Sequence, residues 1–373
     1  ACAAAALAVR VAVIVQSWVM NPVVRTPQLD GGYYQRWATD ISQGDLFGTA
    51  GLVGGNPFFL NPLYAYVIAP IVALTGEGDV LPVLLLQALL GAATTALTAA
   101  AAERYFGRVA AWCAGLGVAL STVLVQLDAH LSVSGLAAFL VAGVAFSCAP
   151  SRPDDPAPGR LGGPRGPLAS GIWLGLGALA RPVVPFALPF VAWLHMRRAR
   201  AAGRSRWPAA ALVVAGLAIF ALPNLARNWA VSGEAVPFTA ANGANLHLGN
   251  NPLARQANAM ASQHFRFSPM DMHEDARRYV RERLGRDPTW GEVSDHFRKL
   301  AIDEFFRYPG PSLAFYGNKA RWLLSPEEVP SSASLFVDRS FLPQEVGYVP
   351  LLWLAPVPTW LLASLALIGA VLH

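Results

Sequence analysis

At 373 residues, 54% hydrophobic and 14% charged, with a mean hydropathy of +0.40, the chain falls well short of the ~25% charge of soluble domains. An ordinary soluble domain is excluded. The net charge of +5 sits largely in arginine-rich loops, so it reports orientation in a membrane rather than nucleic-acid binding. Cys2, Cys113 and Cys148 fall in apolar runs without CxxC spacing, and no histidine pair forms HExxH, so neither a disulfide framework nor a metal site is expected.

Apolar runs of about 20 residues recur, the length that crosses ~30 Å of hydrocarbon, and predict an all-α polytopic membrane protein. Span one (3–22) delivers the chain to a polar loop, 23–79, with a helix over 31–43. Inside that loop 62–76 is apolar but only about 14 residues long, which suits an interfacial helix better than a crossing. Span two (80–101) ends at the charged stretch 103–108; spans three (109–127) and four (131–149) follow. The next loop carries Arg152, Arg160 and Arg165. Spans five (168–180) and six (182–196) form a hairpin turning at Arg181-Pro182, and then comes HMRRARAAGRSR, with five arginines and no acid. With 62–76 in the interface, the three arginine-bearing loops share one side, as the positive-inside rule requires. Asp30, Asp128 and Arg181 then share the exported side.

Span seven (209–225) completes a transmembrane module, 1–225, of about seven spans. The polar segment 226–348 is expected to be exported and helical. Ser268-Pro269 with Asp271 starts a helix ending near Gly285. Thr289-Trp290-Gly291-Glu292 is a capping box opening a helix whose Phe297, Leu300, Ala301, Phe305 and Phe306 form one apolar face, stopped by Pro309-Gly310. A third amphipathic stretch, 311–325, ends in Trp322-Leu323-Leu324 and is expected on the membrane surface. A last span covers 349–371. The chain starts without Met and stops inside an apolar run, so truncation is expected. No cleavable signal and no repeat of 20–50 residues is visible.

Lone acids at a membrane face are costly to keep near lipid, so Asp30 and Asp128 read as site residues. Asp30 serves either as a general base or as the N-cap of the helix 31–43. Asp128 either orients the acceptor or assists the base, or simply ends span three at the interface. Arg181 holds an anionic phosphate or snorkels to headgroups. Arg10, inside span one, is a functional intramembrane charge or lies nearer the inner face. Tyr34 and Arg36 line the site or belong to an aromatic belt, and Asn250 with Asn251 makes a turn in Gly-Asn-Asn-Pro. His130 reads as packing, and 195–207 as an orientation signal.

Several segments in order resemble one family. LDGGYYQRWATDISQGD looks like an acid-led first-loop helix, NPFFLNPLYAYVIAP like the Pro-Leu-Tyr segment after it, and QLDAHLSVSGLAAFL like a second-acid segment. GLGALARP resembles a Gly-rich turn to Arg-Pro, while RNWAVSGEAVPFTAANGANLHLGNNP and RYPGPSLAFYGNKARWLLSPEEVP resemble a large exported loop. Together they resemble the bacterial C-type glycosyltransferases related to protein O-mannosyltransferases and the lipid A aminoarabinose transferase. Two departures stand out: Gly31 follows Asp30 where relatives often have a second acid, and Asn61 stands where the aminoarabinose transferase has lysine.

The resemblance implies a GT-C-like transmembrane helix bundle with interfacial helices, in a bacterial inner membrane with its site facing the periplasm. It implies an inverting, metal-independent transferase without a cofactor, moving a sugar from a polyprenyl-phosphate donor to a protein, lipid or glycan acceptor. Asp30 and Asp128 are then the catalytic candidates. Tyr34, Arg36, Asn61, Tyr64, Arg181, Asn250, Asn251, Lys319 and Glu328 are the substrate- or carrier-binding candidates. Two other readings stay open. One is a non-catalytic subunit of a larger membrane assembly. The other is a lipid or solute transporter, whose marks are inverted repeats and broken helices with midplane charges; of these the sequence shows only Arg10.

Overall fold

The apolar periodicity emerges as helix throughout the computed structural model, which describes residues 1–27, 29–49, 56–150, 166–257, 260–266, 269–324 and 356–372. Helix α1 (Cys2–Met20) leads into the single turn α2 (Pro22–Arg25). Arg25 reaches back to donate to the carbonyls of Trp18 (2.6 Å) and Val19 (2.8 Å), which the end of α1 leaves without helical partners. The first loop supplies α3 (Leu29–Ser42) and α4 (Leu63–Thr75), which pack against each other. Then come α5 (Leu81–Phe106), α6 (Arg108–Ala119), α7 (Thr122–Asp128), α8 (Val133–Ser147), α9 (Pro167–Ala180), α10 (Leu188–Ala201) and α11 (Trp207–Ser232). The polar segment holds α12 (Asn242–Leu248), α13 (Pro252–Ala257), α14 (Pro269–Leu284), α15 (Trp290–Arg307) and α16 (Pro309–Leu323), and α17 covers Thr359–Leu372.

Among the described residues the structure is all-helical, and α1, α5 and α11 are long and apolar enough to cross a membrane. That is the signature of a membrane protein. Helices α4, α6, α8 and α9 are apolar but shorter. At 13 residues and ~1.5 Å rise per residue, α4 is about 20 Å long, too short to cross unaided. Its Tyr64, Ala65, Ile68, Ala69 and Val72 are buried, all five in the cluster that Tyr34 and Trp37 of α3 also enter. The main core gathers α1, α3, α4, α5, α8 and the α7–α8 turn; a second one joins α12, α14, α15 and Phe59.

Four expectations shift. Span three is two helices, broken at Leu120–Ser121, where Thr122 N–H donates to the Val357 carbonyl and Val357 N–H to the Leu120 carbonyl, both at 3.0 Å. Spans five and six are no tight pair: α9 lies along α11 instead. The reason is small-residue packing. A Cβ on Gly171 would come 2.1 Å from the Val213 carbonyl and one on Gly216 2.5 Å from the Leu168 carbonyl, so only glycines permit this approach. Helix α11 runs past residue 225 to Ser232, through Pro223. The apolar face of α15 is narrower than its pattern suggested, because Phe297 and Ala301 are buried while Phe306 is exposed.

The expected capping box at Thr289 holds. Thr289 accepts from Glu292 N–H and Glu292 from Thr289 N–H, and α14 covers the expected 269–284, although Ser268 lies outside the described residues. The third stretch begins at Pro309, so Pro309 opens α16 as its first residue as well as following α15. Arg152, Arg160, Arg165, residues 325–355 and the last residue lie outside the described residues.

Candidate functional site

Four segments meet around Asp30: the start of α3, the turn into α4, the α7–α8 turn and the end of α9. Helix α3 begins one residue before Asp30, so Asp30 sits in its first turn rather than at its cap. A carboxylate is favourable there against the helix dipole. Leu29 has φ 49°, a left-handed conformation that costs a side-chain-bearing residue roughly 1–2 kcal/mol. Its neighbourhood holds it: Gly31 lies so close to the 130s turn that a Cβ would come 2.8 Å from the Leu131 carbonyl.

Asp30 keeps an exposed side chain, yet the surrounding protein strips part of its water and raises its carboxyl above the usual range. Arg181 opposes that shift electrostatically. Arg181 follows α9 in extended conformation and donates through Nη2 to Ser134 Oγ at 3.2 Å. Tyr34, one turn after Asp30, is buried; burial lifts its phenol well above the ordinary range, with Arg181 again opposing. It remains a donor, to the Asn61 carbonyl at 3.2 Å, and its ring meets Tyr64 edge-on at 5.2 Å. Asn61 donates to the Ala178 carbonyl at 3.2 Å, pinning the first loop to α9.

Beneath this lies Gln87 of α5, fully buried. Its Nε2 donates to the carbonyls of Asp128 and His130, both at 2.8 Å, while its Oε1 accepts from Tyr64 Oη and from Ser132 N–H. All four hydrogen bonds available to the amide are made. The chain of contacts continues from Ser132 Oγ to Ser134 Oγ at 3.0 Å, and so to Arg181. Sequence reasoning passed Gln87 over. The usable signal was an amide in the run LLLQALL, a polar group with no water to satisfy it.

Asp128 stands deeper, 2% exposed, and its Oδ2 accepts from Arg10 Nε at 2.7 Å. Arg10 also donates to the carbonyls of Ala119 (3.2 Å), Val118 (3.4 Å) and Ala6 (3.4 Å). Two of those carbonyls end α6, where the helix break removes their usual donors. The pair occupies space left by two glycines. A Cβ on Gly91 would lie 2.1 Å from Arg10 Nε, and one on Gly135 2.3 Å from Asp128 Oδ1. Asp128 reaches Asp30 and Arg181 only through the backbone of 128–134. His130 is a buried packing residue whose Nδ1 lies 3.0 Å from the Gln126 carbonyl.

Asp30, Tyr34, Asn61, Tyr64 and Arg181 are thus brought together, whereas Asp128, expected as a second catalytic group, is buried against Arg10 instead. Arg36 is exposed, its nearest partner the Gly32 carbonyl at 3.5 Å. A second group lies on the polar segment. Lys319 donates to the Gly249 carbonyl (2.6 Å) and to Asn250 Oδ1 (3.3 Å), over the ring of Phe315 at 4.3 Å. Asn251 caps α13, accepting from Ala254 N–H at 2.9 Å, so its side chain is spent on structure. The cavity beside Asn250, lined by Arg255, Glu304, Phe305 and Tyr316, has a volume of about 10 Å³, room for about one water. Glu328 lies outside the described residues.

Arg227 of α11 also went unnoticed. It donates to the carbonyls of Phe47 (2.7 Å), Asn56 (2.9 Å) and Gly48 (3.0 Å) and covers the Phe58 ring at 3.6 Å. It clamps both ends of the first loop between α3 and α4. Among the described residues no three His, Cys, Asp or Glu side chains are placed to hold a metal ion. Comparison of the chain with protein-family models, with curated proteins and with solved structures found no match.

Proposed function

We propose that the chain is a membrane glycosyltransferase that moves a sugar from a polyprenyl-phosphate donor to an acceptor on the exported side, with Asp30 as general base. The reading is supported chiefly by one juxtaposition: an exposed, partly desolvated carboxylate with a guanidinium acting on it, at the edge of an apolar helix bundle. Base catalysis at neutral pH favours a carboxylate whose pKa is raised, because it then holds the abstracted proton better. The leaving group of such a donor is a phosphate, for which a guanidinium held by one bond to Ser134 keeps donors to offer. Inversion belongs to the same proposal: attack by the activated acceptor oxygen at the anomeric carbon, opposite the departing phosphate, requires one acid–base group and one phosphate anchor. Asp128 and Arg10 support the 128–134 turn in this reading and do not touch the reactants.

The experiment is turnover by purified protein in proteoliposomes containing polyprenyl-phosphate sugars. Asp30→Asn should retain donor binding and lose transfer; unchanged transfer would remove the base assignment.

A transporter is the second reading, favoured by the break between α6 and α7 and by the buried charge pair beside it. Flux of a fluorescent lipid or solute across the same proteoliposomes without covalent product favours it over the transferase.

A further inference from the structure

The contact between the first loop and the polar segment is built around one histidine whose protonation state the geometry dictates. Asn56, in the first loop, accepts through Oδ1 from the indole Nε1 of Trp290 at 2.9 Å. An indole can only donate, so the Asn56 amide is fixed in one orientation and its Nδ2 faces His273. Asn56 Nδ2 lies 3.4 Å from His273 Nε2. That nitrogen must therefore carry a lone pair, which requires the neutral ring with its proton on Nδ1. A proton on Nε2 would set N–H against N–H. The ring has little room to turn away, being stacked on Trp290 at 4.3 Å and 14°, with the Phe59 ring 5.0 Å from its own.

We propose that His273 is a proton-sensing latch, closed when neutral, that holds the first loop at Asn56 and Phe59 against α14 and α15 and releases it in mild acid. The surrounding charges favour the neutral form. Arg277, on the same helix, holds its guanidinium 5.2 Å from the Trp290 ring. Glu234, which meets the start of α15, has its two oxygens engaged by the N–H groups of Trp290 (2.6 Å) and Gly291 (2.7 Å). Among the described groups Arg277 is the one charge that acts appreciably on the ring; burial first, and then Arg277, lower its pKa to about 4.

The sign follows. A base held below its unfolded value near 6.5 supports the closed contact fully above that pH and loses it as pH falls toward 4. In that window the opening equilibrium shifts about tenfold per pH unit. The latch borders the proposed site, because the same loop continues into Asn61 and Tyr64 and is gripped at the Asn56 carbonyl by Arg227. The inference does not depend on the chemistry proposed for that site.

Hydrogen–deuterium exchange on the full chain in lipid nanodiscs, corrected for intrinsic exchange rates, reads the latch directly. Protection of 269–284 and of the amides at 56–60 should fall about 15-fold in all from pH 6.5 to 5 in the wild type. His273→Gln accepts from Asn56 without titrating and should hold protection level across that range. Asn56→Asp offers a carboxylate that pairs best with the protonated ring and should remove or invert the pH dependence. If wild-type protection is level from pH 7.5 to 4.5, or if both variants loosen in acid as the wild type does, the latch is wrong.

Discussion

Arg10 and Asp128 offer the sharpest test of the packing described above. Replacing Arg10 by Met leaves a 2%-exposed carboxylate without its 2.7 Å partner and strips a donor from the Val118 and Ala119 carbonyls at the end of α6. Breaking a buried pair from one side costs roughly 3–5 kcal/mol, since the remaining charge has nothing to replace water. Asp128→Asn keeps the shape that Gly91 and Gly135 accommodate but strands the guanidinium, at a similar cost of about 3–5 kcal/mol. The double replacement removes both charges and retains only the lost donors, about 1–3 kcal/mol for unsatisfied groups. Coupling of at least about 2 kcal/mol is therefore expected in a double-mutant cycle measured by reversible unfolding in mixed micelles. Costs that add to within about 0.5 kcal/mol would refute the claim that the two side chains act as one unit.

Other expectations follow from the same geometry. Gln87→Leu leaves Tyr64 Oη, Ser132 N–H and two carbonyls without partners and should cost at least about 2–3 kcal/mol; unfolding within about 0.5 kcal/mol of wild type would show that Gln87 is no hub. Asp30→Asn should raise stability at pH 7, because the raised pKa of Asp30 means that its charged form is disfavoured in the folded chain. The same shift places the acid limb of the transfer profile above the ordinary aspartate value of ~3.9, which a pH–rate series checks. Thr289→Ala removes half of the capping box of α15 and should cost about 1 kcal/mol, seen as faster amide exchange over 290–295. Arg181→Ala should weaken binding of the donor phosphate at least tenfold while leaving the fold intact, since among the described residues its side chain bonds Ser134 alone, at an exposed position; a filter-binding assay with labelled donor lipid measures it.

Local rules explain why much of the helix pattern was readable. Span one, span two and α9 follow predominantly apolar runs, and the capping box at Thr289 depends on residues three apart. Arg181 acts on Asp30, whereas the charge pattern said only that the two share one membrane face; Arg36, drawn in by proximity in sequence, stays on the surface. What escaped depends on partners far along the chain. Nothing in the apolar run 109–127 announces a break, because the group that satisfies it is Val357, more than 200 residues later. Arg10 looked ambiguous alone; its meaning comes from Asp128, 118 positions away. Helix α11 outlasted its apolar window because Asn224, Arg227 and Asn228 find carbonyls in other loops, so polar residues continue a helix that hydropathy would end.

The proposed function rests on Asp30 as the base, and one measurement addresses it directly. Purified wild-type and Asp30→Asn proteins are incubated with a lipid extract of the native membrane, and free polyprenyl phosphate is quantified by mass spectrometry alongside donor lipid retained on the protein. The wild type should release polyprenyl phosphate, and Asp30→Asn should retain donor while releasing at least 100-fold less, a scale in keeping with general-base loss. Release by Asp30→Asn at the wild-type rate would contradict the account.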